Sequence, residues 1–249
     1  MRARLAAYAG YQIRDYFAGR AIASILVTAA VVWVYVRALG LTPAVLDPAA
    51  GIDARAQLQA AFGFTLASFA FIAAAVGAQG LVARDRSRGY DRVLFSRPVL
   101  PARFYLQGFL VGGIGAIVLA AIGAELYGAM LHPVSVTGVV GYVALSWVTV
   151  GGVGFLLSTM TRWHTVLLAV VIGADLALDR YAAPLRTAVG ALVDVVQFIL
   201  PPAHAVVALR DEFVRGAVVT PAFVMWAGGY GFASLIIAAI LLVRRPFSR

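Results

Sequence analysis

The side chains best suited to chemistry in this sequence are concentrated in one run, ARDRSRGYDRVLFSRPVLPARFY at residues 83–105, which holds six arginines and two aspartates. Asp85-Arg86 and Asp91-Arg92 bracket Gly89 and Tyr90. The apolar cluster Val93, Leu94 and Phe95 follows, and Ser96, Arg97 and Pro98 close the run. Charges flanking an apolar knob are what a short interfacial helix needs in order to dock on a soluble partner, and proline then breaks the helix. A basic loop that only sets membrane topology has the same composition, so the pattern by itself leaves both readings open.

Two acids lie within apolar runs, Glu125 and Asp175. An ionisable group in such a run is costly, and it marks either a transport pathway or an intramembrane ion pair. Glu125 stands six residues before Leu131, about 9 Å along a helix, and Asp175 is nearer still to Asp179-Arg180. Both are therefore expected to pair with arginines at that end or to reach water. His132, His164 and His204 fall on separate segments without a helix-mate acid, so no metal centre is expected. Asp175-Leu-Ala-Leu-Asp179 is a single aspartate-rich motif, where Mg²⁺-diphosphate chemistry needs two. No Gly-x-Ser-Gly, His-Glu-x-x-His or paired-glutamate motif points to intramembrane proteolysis.

Missing residue types narrow the field further. All 20 basic residues are arginine and there is no cysteine. Without lysine there is neither a Walker A lysine for nucleotide phosphates nor a Schiff-base amine. The chain is thus not expected to be an enzyme itself, and any ATP hydrolysis belongs to a separate polypeptide. The net charge of +9 comes from arginines set beside apolar runs rather than along a basic face, which argues against nucleic-acid binding.

The elements that position these groups follow from composition. Hydrophobic residues make up 62% and charged ones 12%, far from the roughly 25% charged typical of soluble domains. Apolar segments at about 21–40, 60–83, 104–131, 137–160, 164–179 and 222–243 are near the ~20 residues that cross a bilayer. The expected fold is all-α, a single polytopic membrane domain (1–249) of six spans, with irregularity or tilt in the long third and short fifth. Residues 1–20 place Leu5, Ala9, Ile13 and Phe17 at i,i+4 spacing, with Tyr8 and Tyr16 beside them and Arg2, Arg4, Arg14 and Asp15 largely elsewhere. That pattern suits a helix lying in the membrane interface. The run 187–200 carries Asp194 and Gln197 and ends in Pro201-Pro202, so 183–221 reads as an outer re-entrant segment rather than a seventh span. With both termini inside, fourteen arginines lie on the inner side and six on the outer (Arg37, Arg55, Arg180, Arg186, Arg210 and Arg215), in accord with the positive-inside rule. Clustered glycines in the third, fourth and sixth spans, such as Gly112, Gly113, Gly152 and Gly231, are expected to serve close helix packing within the subunit.

The 83–105 loop resembles that of ABC-2-type permease subunits, in which an acidic-basic pair, a glycine, a Leu-Leu-Ser-like run and Pro-Val follow the second span. Here these elements read Asp85-Arg86, Gly89, Leu94-Phe95-Ser96 and Arg97-Pro98-Val99, with Gln107-Gly108 opening the third span. Tyr90, Leu100-Pro101 and Phe109 depart from the family pattern. The run from Gly154 through Ser158 to Arg162 is similar to the end of that family's fourth span. The resemblance implies a homo- or heterodimer of permease subunits in a bacterial cytoplasmic (inner) membrane, with both termini cytoplasmic and cytoplasmic ABC ATPase subunits attached. ATP and Mg would be bound by the ATPase partner and no cofactor by this chain. It further implies that residues 85–98 couple ATP hydrolysis to substrate movement, most simply export, while the N-terminal helix with Arg14, Tyr16 and Phe17 lies along the membrane among lipids. Two other classes fit the composition: a membrane enzyme acting on lipid-linked substrates, and a non-catalytic membrane scaffold.

Overall fold

The computed structural model describes residues 2–38, 51–78, 81–83, 85, 100–130 and 133–244. Among these, every regular element is helical. Helix α1 (Arg2–Asp15), a wide π turn (Tyr16–Arg20) and α2 (Ala21–Ala38) follow one another without a gap. Asp15 and Ala21 keep right-handed helical angles, and the Ala21 N–H bonds back five residues to the Tyr16 carbonyl. The expected boundary after residue 20 is therefore a local widening of the helix, and Ala9–Val34 forms one apolar stretch long enough to cross a membrane.

Four more helical stretches meet that test: Leu58–Ala78 within α3 (Gly51–Ala78), α4 (Pro101–Met130), the rod Val136–Met160, and α11 (Pro221–Arg244). The rod consists of α5 (Val136–Ser146), a second π turn (Trp147–Gly151) and α6 (Gly152–Met160). The expected fifth span is α7 (His164–Arg180), whose 17 residues fall short of a typical crossing. Among the described residues five helices are thus long and apolar enough to cross, or six if one bent pair near the C-terminal end counts as a span. That pair is α9 (Leu192–Ile199) and α10 (Ala203–Arg215), bent by 75° about the Pro201-Pro202 break. It follows α8 (Ala182–Val189) across Gly190, whose positive φ of 60° turns the chain where other residues would be strained.

The packing is that of helices in an apolar solvent. On α4, Leu110, Ile114, Val118, Ile122, Leu126 and Met130 repeat every four residues and all face outward. Its inward face carries Gly108, Gly112, Gly113, Gly115, Ala116, Ala120 and Ala124. Small residues inside and large apolar ones outside bring helix backbones close together and leave the bulky side chains for lipid. The Trp147 ring fills the slot so made: a Cβ added to Gly77 of α3, or to Gly112 or Gly113 of α4, would run into it. Tyr16 occupies the matching space over Gly115. At Gly152 and Gly231 the rod and α11 touch backbone to backbone, and Thr149 Oγ1 donates to the Ala227 carbonyl at 3.0 Å beside that crossing. The glycines serve packing within the chain, as expected.

Side-chain bonds define two ends of the bundle. At the near end, Gln12 Nε2 donates to the Phe104 carbonyl (3.1 Å) and Arg20 Nη1 to the Gly77 carbonyl (3.4 Å), joining the N-terminal helix to the end of α3 and the start of α4. At the far end, Tyr127 OH donates to the Leu58 carbonyl (3.1 Å) and the Ser135 N–H to the Val214 carbonyl (3.2 Å).

Candidate functional sites at the two ends of the bundle

Of the expected coupling residues, Arg86, Gly89, Tyr90, Asp91, Arg92, Leu94, Phe95, Ser96, Arg97 and Pro98 lie outside the described residues. Asp85 is described. Its Oδ2 accepts a hydrogen bond from Tyr105 OH at 3.2 Å, and Tyr105 is almost fully buried near the start of α4. The loop's entry and its exit are therefore tied to each other at the base. Alongside, Arg20 Nη2 pairs with Asp15 Oδ2 at 3.2 Å, so one arginine bridges the π turn to the end of α3.

The other N-terminal residues divide. Arg14 and Phe17 are exposed, and both lie within the apolar stretch Ala9–Val34. Tyr16, expected beside them at headgroup level, is instead 1% exposed, with its ring over Gly115 and its edge toward Phe17 at 5.4 Å between centroids. The reason lies on another helix: only glycines at 112 and 115 leave room for a phenol ring there. Tyr16 OH and Trp147 Nε1 are both buried without a hydrogen-bond partner among the described residues.

The far end holds the strongest polar feature. Helix α7 buries only Leu168 and Asp175, seven residues apart and so on one face. Asp175 is 0% exposed. Its Oδ2 accepts the backbone N–H of His204 at 2.7 Å, and His204 Nδ1 lies 2.8 and 2.9 Å from the two carboxylate oxygens. His204 is the second residue of α10, so a carboxylate from one helix satisfies an orphan N–H at the start of another, where negative charge is also favoured by the helix dipole. The imidazole meets Trp226 edge-on at 5.3 Å between ring centroids. One turn along α11, Tyr230 OH donates to the Ile199 carbonyl at 2.8 Å, on the other side of the Pro201-Pro202 break.

Asp175 therefore differs from the expectation of an arginine partner or water. Its partner is a histidine 29 residues away, brought to it by the bend between α9 and α10. Neither residue carries a spacing signal toward the other. Glu125 is exposed, on the outward side of α4 beside Leu126. Among the described residues no three His, Asp or Glu side chains converge on a possible metal position. Chemically, the carboxylate holds the Nδ1 side of the imidazole and directs Nε2 away from itself, an arrangement that positions a ring and anchors a bend.

Charged residues also gather on α10. Arg210 Nε donates to Asp211 Oδ1 at 2.7 Å, and this bond, aided by the charges of Arg210 and Arg215, holds the Asp211 carboxyl below its ordinary range. Glu212 accepts from the N–H and hydroxyl of Thr220, the residue preceding Pro221 at the start of α11. Compared with known protein families, curated proteins and solved structures, the chain returns no match.

Proposed function

We propose that the chain is the membrane-spanning subunit of an ABC-2-type transporter, working with a second permease subunit and with cytoplasmic ATPase subunits on separate chains. The observation that carries this reading is the ordered series Asp85-Arg86, Gly89, Leu94-Phe95-Ser96, Arg97-Pro98-Val99 and Gln107-Gly108 between the second and third apolar helices. Two features support it. The sequence has no lysine for a Walker A loop, in keeping with nucleotide hydrolysis on a partner, and its arginines fall mostly in the segments that this reading puts on the cytoplasmic side of a bacterial inner membrane, both termini and the 83–105 loop among them.

In this reading residues 85–98 are a coupling helix on the ATPase, and residues 1–20 begin at the membrane surface. Tyr105 holding Asp85 makes α3 and α4 receive the movement together, because the two ends of the loop are joined. The bent segment after α7 lies at the outer face as a re-entrant cap, and α7 supplies the sixth crossing. The work is alternating access, with no covalent step on this chain.

The decisive experiment is purification of the tagged chain from native membranes with mass spectrometry of what accompanies it. Recovery of a Walker-motif ATPase in stoichiometric amount supports the reading. Recovery of the chain alone, with no complex formed on adding ATPases encoded nearby, refutes it. A second test uses Asp91→Arg and Phe95→Asp, which should abolish substrate-stimulated ATP hydrolysis while expression and membrane insertion stay intact. Wild-type coupling in both would reduce the loop to a topology signal.

A further inference from the structure

A small open cleft lies at the far end between α3 and α10, lined by Gln59, Ala60, Arg210, Asp211, Val214 and Arg215. Its depth follows from the sequence of α3. Gln59 and Ala60 stand where the polar residues Asp53, Arg55, Gln57 and Gln59 of the sequence give way to the apolar run 60–83, the level at which a spanning helix would meet the headgroups. Phe62 and Tyr127 stack at 4.1 Å between centroids at the same level, and Tyr127 bonds to the Leu58 carbonyl. Aromatic rings with a polar edge collect at that depth.

Among the described lining residues the charges do not cancel. Glu212, the other acid of the helix, does not line the cleft and accepts hydrogen bonds from Thr220. Asp211 is taken up by Arg210, whose side chain lies along α3 because Gly63 has no Cβ to obstruct it. Arg215 makes no hydrogen bond or ion pair among the described residues, and it is exposed. The bland role for an arginine in a last helical turn is to cover the free carbonyls. Here those carbonyls are already occupied: Glu212 O by the Ala217 N–H, Phe213 O by the Gly216 N–H, and Val214 O by the Ser135 N–H. Among the described residues lining the cleft, two arginines face one aspartate, and the Arg215 guanidinium makes no direct bond to any of them.

We propose that this cleft binds the phosphate of a phospholipid headgroup, with Arg215 as the principal contact and Gln59 as a neutral donor. The inference rests on the chain lying in a membrane and is independent of the transporter reading. A guanidinium suits a phosphodiester because it donates in a planar fork.

The test is native mass spectrometry of the purified full-length chain, titrated with phosphatidylglycerol, with phosphatidylethanolamine and with diacylglycerol, which lacks the phosphate. Retention of both phospholipids but not diacylglycerol, and a loss of about tenfold in affinity in Arg215→Ala, are the expected results. Arg162→Ala, an exposed arginine at the opposite end, should bind as wild type does, and Arg215→Lys should fall between. Equal retention of diacylglycerol, or wild-type binding by Arg215→Ala with its melting temperature unchanged, overturns the proposal. Displacement of the lipid by millimolar inorganic phosphate also overturns it, since the site would then be one for free phosphate.

Discussion

Replacing His204 by alanine tests whether the far-end bend is anchored by Asp175. The substitution removes the ring bond at 2.8–2.9 Å but leaves the backbone N–H bond at 2.7 Å, so Asp175 keeps one of its two donors. A hydrogen bond to a charged group contributes about 1.5–3 kcal/mol. Because Asp175 is 0% exposed, the carboxylate left behind has no water to turn to. The loss should therefore reach the upper end of that range, about 3 kcal/mol. Asp175→Asn should cost less, on the order of 1–2 kcal/mol, since an amide oxygen still accepts the His204 N–H and nothing charged is stranded. The double variant should be less destabilised than the sum of the two, because both act on one contact. Unfolding of the purified protein in a mild detergent, followed by tryptophan fluorescence, measures all three. Trp226 lies against the imidazole and reports locally. If His204→Ala stayed within about 1 kcal/mol of wild type, Asp175 would have to be hydrated, and the reasoning from its burial would fail.

Four other outcomes follow from the packing. Gly113→Ala puts a methyl against the Trp147 indole and should cost about 1–3 kcal/mol, with Trp147→Leu in the same chain restoring part of it, both read by thermal unfolding. Gly231→Ala meets the Val148 carbonyl, which is backbone and cannot yield, so its loss should exceed that of Gly113→Ala; Gly229→Ala, with nothing within 4 Å, should be neutral or slightly stabilising. Tyr105→Phe removes one bond to Asp85 and should cost about 0.5–1.5 kcal/mol, with faster amide exchange at the base of the loop as the specific readout. Glu125→Gln removes a charge from the lipid-facing side of α4 and should be neutral or stabilising on thermal unfolding.

The long helices were legible because a bilayer-length apolar run needs no partner to be recognised. Segments expected at 104–131, 137–160 and 222–243 match helices ending at Met130, Met160 and Arg244, within a few residues. The Pro201-Pro202 break was legible for a local reason, since proline removes the N–H that a continuing helix requires. What could not be read depended on residues far apart in the chain. Tyr16 looked interfacial because its own neighbours alternate with charges; glycines 112 and 115, about a hundred residues on, are what bury it. Asp175 and His204 meet because the chain changes direction between them, at Gly190 with its positive φ and at the 75° bend of the proline pair. The continuity of α1 into α2 was hidden for a third reason. A π turn leaves the composition unchanged and alters only the pitch, which no pattern of residue types records.

The glycine crossing of the rod and α11 has a mechanical side. Where Gly152 meets Gly231 there are no side chains to interlock, so at that point the two helices can turn against each other without changing rotamers. Gly231 stands ten residues from Pro221 and thirteen from Arg244, lever arms of about 15 and 20 Å. A tilt of about 10° around that fulcrum carries the two ends of α11 through about 3 Å in opposite directions. One end joins Thr220, whose N–H and hydroxyl bond to Glu212 of α10 at the far end; the other ends at Arg244. A small angle at the middle of the bundle would thus be read at both faces at once.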